Sequence, residues 1–238
     1  MVLHSLLFSR DQEIINLAGE VLKELDIEVL PCGQAQEAVR RLTGTKFDAI
    51  IVDNADAPGA VAVLSAAKSL PSCEESVGIV LAVSPTSLGL ADGARCHMVL
   101  YRPLSADRLR NGVKSALGLR GDDEEARESQ RAPINIPATL RGAGLEDTLV
   151  FITNLSAGGA ALRVGRLVPS SSIHSLEFSL PDMNDSFTTS VELVWRDVQG
   201  RMGIRFTSMS TTFSESLEKW FAAHPASQGA SRVAVGLG

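Results

Sequence analysis

The sequence predicts an α/β domain followed by an all-β domain. Three observations carry this reading. Over residues 1–118 short apolar runs alternate with helical patterns, from Ile134 the hydrophobic period drops to two, and a charged stretch at 119–132 separates the two regimes. The 238 residues suffice for two domains of roughly 100–120 residues, each able to bury its own core without metal or disulfide staples.

In the first region the apolar runs are Val2–Phe8, Ile27–Leu30, Ala49–Val52, Gly78–Val83 and Met98–Tyr101. Runs of four to seven residues rich in Val, Ile and Leu fit strands buried on both faces. Ile14, Leu17, Ala18, Val21, Leu22 and Leu25 recur at helical spacing between the first two runs, and Leu109, Val113 and Leu117 do so after the last. Five strands alternating with helices predict a doubly wound parallel five-stranded sheet over residues 1–118.

The segment LRGDDEEARESQRA at 119–132 has almost nothing to bury and reads as an exposed charged linker. Residues 133–224 then alternate: Ile134, Ile136, Ala138 and Leu140; Leu176, Phe178 and Leu180; Val191, Leu193 and Trp195; Met202, Ile204 and Phe206. Turn signals at Gly158–Gly159, Pro181–Asp182 and Gln199–Gly200 separate these runs. Short strands so spaced predict an antiparallel β-barrel with Trp195 and Met202 in its core, and a helix bearing Phe213, Leu217 and Phe221 closes it. Residues 225–238 read as a flexible tail.

Composition excludes several functions. The net charge of −6 lacks the basic face a nucleic-acid polymer requires, and one Tyr, two Trp and eight Phe make no stacking platform. No apolar run approaches the length of a membrane span, and no signal peptide is apparent, so a cytoplasmic location is expected. Cys32, Cys73 and Cys96 form no disulfide framework, and Cys96–His97 lacks the second ligand pair of a zinc site, so no metal is expected. The four histidines lie apart from any nucleophile pattern, and no phosphate-cradling loop occurs. No enzyme activity and no catalytic cofactor are expected.

The run IIVD places Asp53 at the carboxyl end of the third strand, LAVS places Ser84 after the fourth, and YRP places Arg102–Pro103 after the fifth. In this order the α/β half resembles the receiver domain of two-component response regulators over essentially all of residues 1–118. The resemblance implies the phosphoacceptor position for Asp53, a switch hydroxyl for Ser84, and a Lys position filled by Arg102. Receivers carry two acidic residues after the first strand to hold Mg²⁺; here Ser9-Arg10 stands there, with Asp11 expected inside the following helix. Asp53 is therefore read as a vestigial phosphoacceptor in a degenerate receiver kept as a docking or dimerisation scaffold. An Arg10–Asp53 ion pair is the expected substitute for the metal.

The linker contains Arg127-Glu128-Ser129-Gln130-Arg131, and the barrel contains Asn154-Leu155-Ser156-Ala157-Gly158-Gly159. An RxxxR followed by [DN]xSxxG about 25 residues later resembles the paired signature of PilZ domains, receptors for cyclic di-GMP, over about residues 122–224. The resemblance implies that Arg127, Arg131, Asn154, Ser156, Gly158 and Gly159 bind the ligand. The residue types suit it: a guanidinium fork meets guanine O6 and N7 with two hydrogen bonds and also pairs with phosphate. Asn154 is expected in an Asx-type turn offering its amide, Ser156 offers a hydroxyl, and the glycines permit close approach.

The chain thus reads as a cyclic di-GMP effector, the messenger ordering both arginines against the barrel and reorienting the receiver-like half to change a protein–protein surface. The alternatives are a ligand-free interaction or dimerisation scaffold, with self-association open, and, weighed against by the missing acids, a phosphorylation-controlled regulator. The protein partner is unknown from sequence.

Overall fold

The structure, a computed structural model, describes residues 2–84, 96–119, 132–142, 145–165, 173–183 and 185–224. The first half runs β1 (Leu3–Phe8), α1 (Gln12–Glu24), β2 (Ile27–Cys32), α2 (Ala35–Gly44), β3 (Ala49–Asp53), α3 (Ala57–Ser69), β4 (Val77–Ala82), β5 (Met98–Tyr101) and α4 (Ala106–Leu117). The second runs β6 (Ala132–Gly142), β7 (Leu145–Ser156), β8 (Gly159–Val164), β9 (Ile173–Ser179), β10 (Ser186–Asp197), β11 (Arg201–Ser208) and α5 (Thr211–Ala223).

The five parallel strands take the order β2-β1-β3-β4-β5, a receiver-like doubly wound sheet. Their apolar runs are continuous because both faces are covered. Leu6, Phe8, Ile50 and Val52 face one side, with Ala38 and Leu42 of α2 and Val63 and Leu64 of α3. Leu7, Ile51 and Leu81 face the other, with Ala18 and Leu22 of α1 and Leu109 and Val113 of α4. Helix starts follow local chemistry: Asp11 caps α1 by accepting from Glu13 and Ile14 amides, and Ser105 caps α4 by accepting from Arg108. Asp11, expected inside the helix, is thus its cap.

Strands β6 to β11 form a closed six-stranded antiparallel barrel, closure coming from the β10–β11 ladder. Ile152, Leu162, Leu176 and Phe178 fill it, and α5 covers one end. Phe213 of α5 meets Phe178 and Phe206 edge-on, with centroids 5.8 and 5.7 Å apart.

The two halves form one ladder. Beyond its barrel partners, the carboxyl end of β10 pairs antiparallel with β5, matching Trp195 with Leu100, Arg196 with Val99 and Asp197 with Met98. Met202 is buried in the barrel as expected, but Trp195 is not. Between Leu193 and Trp195 the register slips by one residue: Leu193 lies opposite Ile204 and Trp195 opposite Gly203. This β-bulge at Val194 inverts the alternation, so the indole turns outward and packs against the apolar cluster of α1, α4 and β5.

Candidate functional site

Polar side chains converge at two places: the carboxyl end of the parallel sheet, and a cleft where the two halves meet.

Asp53 ends β3 and is 2% exposed. Arg102, directly after β5, donates from Nη2 to both its oxygens, at 3.0 Å to Oδ1 and 2.9 Å to Oδ2. Its Nη1 donates to Asp11 Oδ2 at 2.8 Å. Ser9 Oγ donates to Asp53 Oδ2 at 2.7 Å, and the Ala55 amide to Oδ1 at 3.1 Å. One guanidinium therefore bridges the two carboxylates. The Arg102 bond is also the main influence lowering the Asp11 pKa below the usual carboxylate range. Burial opposes the charge on Arg102, yet Asp11 and Asp53 together raise its pKa.

The expected Arg10–Asp53 pair does not form. Arg10 donates from Nε to the Gly33 carbonyl at 2.8 Å and pairs through Nη2 with Asp56 at 3.3 Å. Leaving a strand end, the Arg10 side chain runs outward over the β2 and β3 loops, whereas Arg102 follows β5 and turns inward across the strand ends. Ser84 follows β4 at the same end of the sheet. Among the described residues no three His, Cys, Asp or Glu side chains cluster as metal ligands. Cys96, whose thiol donates to the Met98 carbonyl at 3.4 Å, has its pKa pushed up by burial to about 11.

The second place is a cleft of about 510 Å³, a size suited to a small ligand, between α4 and the outer face of the barrel. Asn154, Ser156, Gly158 and Gly159 all line it. The segment spans the end of β7, a turn, and the first residue of β8. A second register slip governs it: Ile152 pairs with Leu162 but Asn154 pairs with Ala161, so a bulge at Thr153 inverts the alternation. Leu155 is fully buried, and Asn154 is turned out toward the cleft.

Asn154 therefore belongs to the strand and not to an Asx turn; among the described residues its side-chain amide forms no hydrogen bond. Ser156 closes the turn, Oγ donating to the Gly159 carbonyl at 3.0 Å. The two glycines differ in kind. A Cβ on Gly159 would lie 2.2 Å from the Ile204 carbonyl oxygen, so that glycine serves the close approach of β8 to β11. A Cβ on Gly158 would meet nothing within 4 Å, so its missing side chain leaves cleft space open.

Arg127 and Arg131 lie outside the described residues, as do most of the charged linker and the 225–238 tail. Ala132 pairs with Leu155 and Pro133 with Asn154, so β6 begins beside the Asn154–Gly159 segment. Sequence reasoning missed the wall opposite: Arg108, Asn111, Gly112 and Ser115 of α4 also line the cleft, with Trp195. The helical spacing of these residues was a signal, but it carried no indication of which surface faced them.

These features define a receiver-like α/β domain joined to a small closed barrel with a cleft at the junction. Residues 125–223 match the family model of the PilZ domain. The chain carries a PilZ domain C-terminal to a receiver-like domain. No curated protein matches the chain. Among solved structures, a response regulator from Thermotoga maritima is 16% identical, with a TM-score of 0.44, covering 50% of this chain and 99% of its own. YcgR from Escherichia coli, solved in complex with c-di-GMP, is 18% identical with a TM-score of 0.34, covering 41% of this chain and 45% of its own. The Bacillus subtilis inhibitor of motility, MotI/DgrA, is 18% identical with a TM-score of 0.35, covering 42% and 50%. The chain thus spans about half the length of the last two proteins.

Proposed function

We propose that this protein is a non-catalytic receptor for cyclic di-GMP that binds the messenger at the junction of its two halves. The observation that carries this reading is the placement of Asn154, Ser156, Gly158 and Gly159 on one cleft, beside the strand into which the Arg127–Arg131 segment leads. Arg127 and Arg131 supply guanidinium forks for guanine O6/N7 edges and phosphate oxygens; Asn154 supplies an amide and Ser156 a hydroxyl from the barrel. Ligand in the cleft changes how α4 rests on the barrel, and the altered surface reorients the halves toward a protein partner. Among the described residues no helix is long and apolar enough to cross a membrane.

Titration calorimetry of the full chain tests the reading. Cyclic di-GMP binds, cyclic di-AMP binds far more weakly because adenine N6 is a donor where guanine O6 accepts, and Arg131→Ala removes most affinity. No heat of binding at high micromolar cyclic di-GMP overturns it.

A ligand-free scaffold is the second reading, and the β5–β10 ladder favours it, since main-chain pairing between the halves supplies a join made by the chain's own residues. It predicts no binding of the messenger and an assembly state indifferent to it. In either reading Asp53, held by Arg102, is a former phosphoacceptor.

A further inference from the structure

The α4 wall of the cleft has no role in the paired signature, and its composition is suited to an anion. Arg108, Asn111 or Gly112, and Ser115 recur at helical spacing and form one stripe. Gly112 lets that stripe come close: a Cβ there would lie 2.7 Å from Leu100 of β5. The next arginine, Arg110, is clamped between Glu24 and Asp107. Arg108 is treated differently. It donates from Nη1 to the Pro103 carbonyl at 2.7 Å and, among the described residues, makes no ion pair.

We propose that Arg108 is a ligand-binding residue supplied by the receiver-like half, its guanidinium closing on a guanine edge or phosphate of the cyclic dinucleotide opposite Asn154 and Ser156. This rests on the reading of the cleft as the messenger site. Arg108 is partly buried against the barrel. Burial and the like charge of Arg205 on β11 lower its pKa, and Glu192 on β10 only partly offsets them. A cation held there without its own carboxylate is relieved by an entering dianion, and the guanidinium keeps donors for bidentate recognition. The ligand is then gripped by both halves, which makes the receiver-like half part of the receptor and gives the messenger a direct handle on α4.

Calorimetry on the full chain with cyclic di-GMP, paired with thermal melts of the ligand-free protein, decides the matter. Arg108→Ala is expected to weaken binding by about 10- to 100-fold, the scale of losing a charge-assisted hydrogen bond. Arg108→Lys, which keeps charge but not the fork, falls between Arg108→Ala and wild type, and ligand-free Tm stays within about 1 °C of wild type. Wild-type affinity in Arg108→Ala overturns the inference while leaving the messenger reading intact. An affinity loss matched by a fall in ligand-free Tm in both variants assigns Arg108 a structural role and also overturns it. Failure of the wild-type chain to bind overturns both.

Discussion

Arg102 Nη2 contacts both carboxylate oxygens of Asp53, at 3.0 and 2.9 Å, from the position directly after the strand that pairs with the barrel. The acidic side chain that a receiver would expose to a phosphoryl donor is instead sealed beneath a guanidinium. Removing that guanidinium by Arg102→Met leaves Asp53 buried with only Ser9 and the Ala55 amide as partners. Breaking a buried pair costs about 3–5 kcal/mol, and the partial exposure of Arg102 reduces this to about 2–4 kcal/mol. A lower urea midpoint with unchanged m-value is expected. Acetyl phosphate with Mg²⁺ should leave no acid-stable or labile adduct on the wild-type chain, read by intact mass.

The same arginine sets an acid limit through Asp11. The Asp11 pKa is lowered in the folded chain, first by the Arg102 hydrogen bond. Its contribution is therefore fully present above the ordinary value of 3.8 and is lost as pH falls through the lowered one. Asp11→Asn should be less stable than wild type at pH 6. The two urea midpoints should converge as the pH drops below about 4.

The two glycines of the cleft should separate folding from binding. Gly159→Ala drives a methyl into the Ile204 carbonyl and should destabilise by about 2–3 kcal/mol, seen by chemical denaturation. Gly158→Leu meets no protein atom at Cβ and should stay within about 0.5 kcal/mol of wild type. Its side chain enters the cleft, so cyclic di-GMP affinity should fall at least about tenfold by calorimetry.

Trp195 should be the rivet between the halves. A Cβ on Gly203 would lie 2.0 Å from Trp195 Nε1, so Gly203→Ala must displace the indole from the α1–α4 cluster. Trp195→Ala removes it outright. Both variants should speed amide exchange at Val99 and Leu100, and calorimetric melting should broaden or split into two transitions.

The five parallel strands, four of the six barrel strands, the helix that closes the barrel and the position of Asp53 were legible because periodicity is local: a doubly buried strand or a half-buried one declares itself within six residues. By contrast, β7 and β8 were not read as strands. What escaped was register. Trp195 continues the alternation of Val191 and Leu193 by count, but a one-residue bulge at Val194 reverses its face. The bulge at Thr153 does the same for Asn154, which the turn chemistry of its residue type had placed in a loop. Arg10 is the partner of Asp53 that the sequence suggests, because it stands where the metal acids belong, and Arg102 is the partner that the structure shows. Side-chain direction at the strand end makes the difference. The β5–β10 ladder joins residues nearly a hundred positions apart through three pairs, too few to leave a pattern in either strand.

That ladder also bears on assembly. β5 is the last strand of the parallel sheet, and an open sheet margin offers unpaired amides and carbonyls to any passing strand. Here β10 occupies that margin over Met98–Leu100. The opposite margin is β2, where Pro31 has no N–H to donate. With one flank capped by the chain's own barrel and the other blunted by an imino acid, growth of the sheet by adding a second copy is disfavoured on both sides.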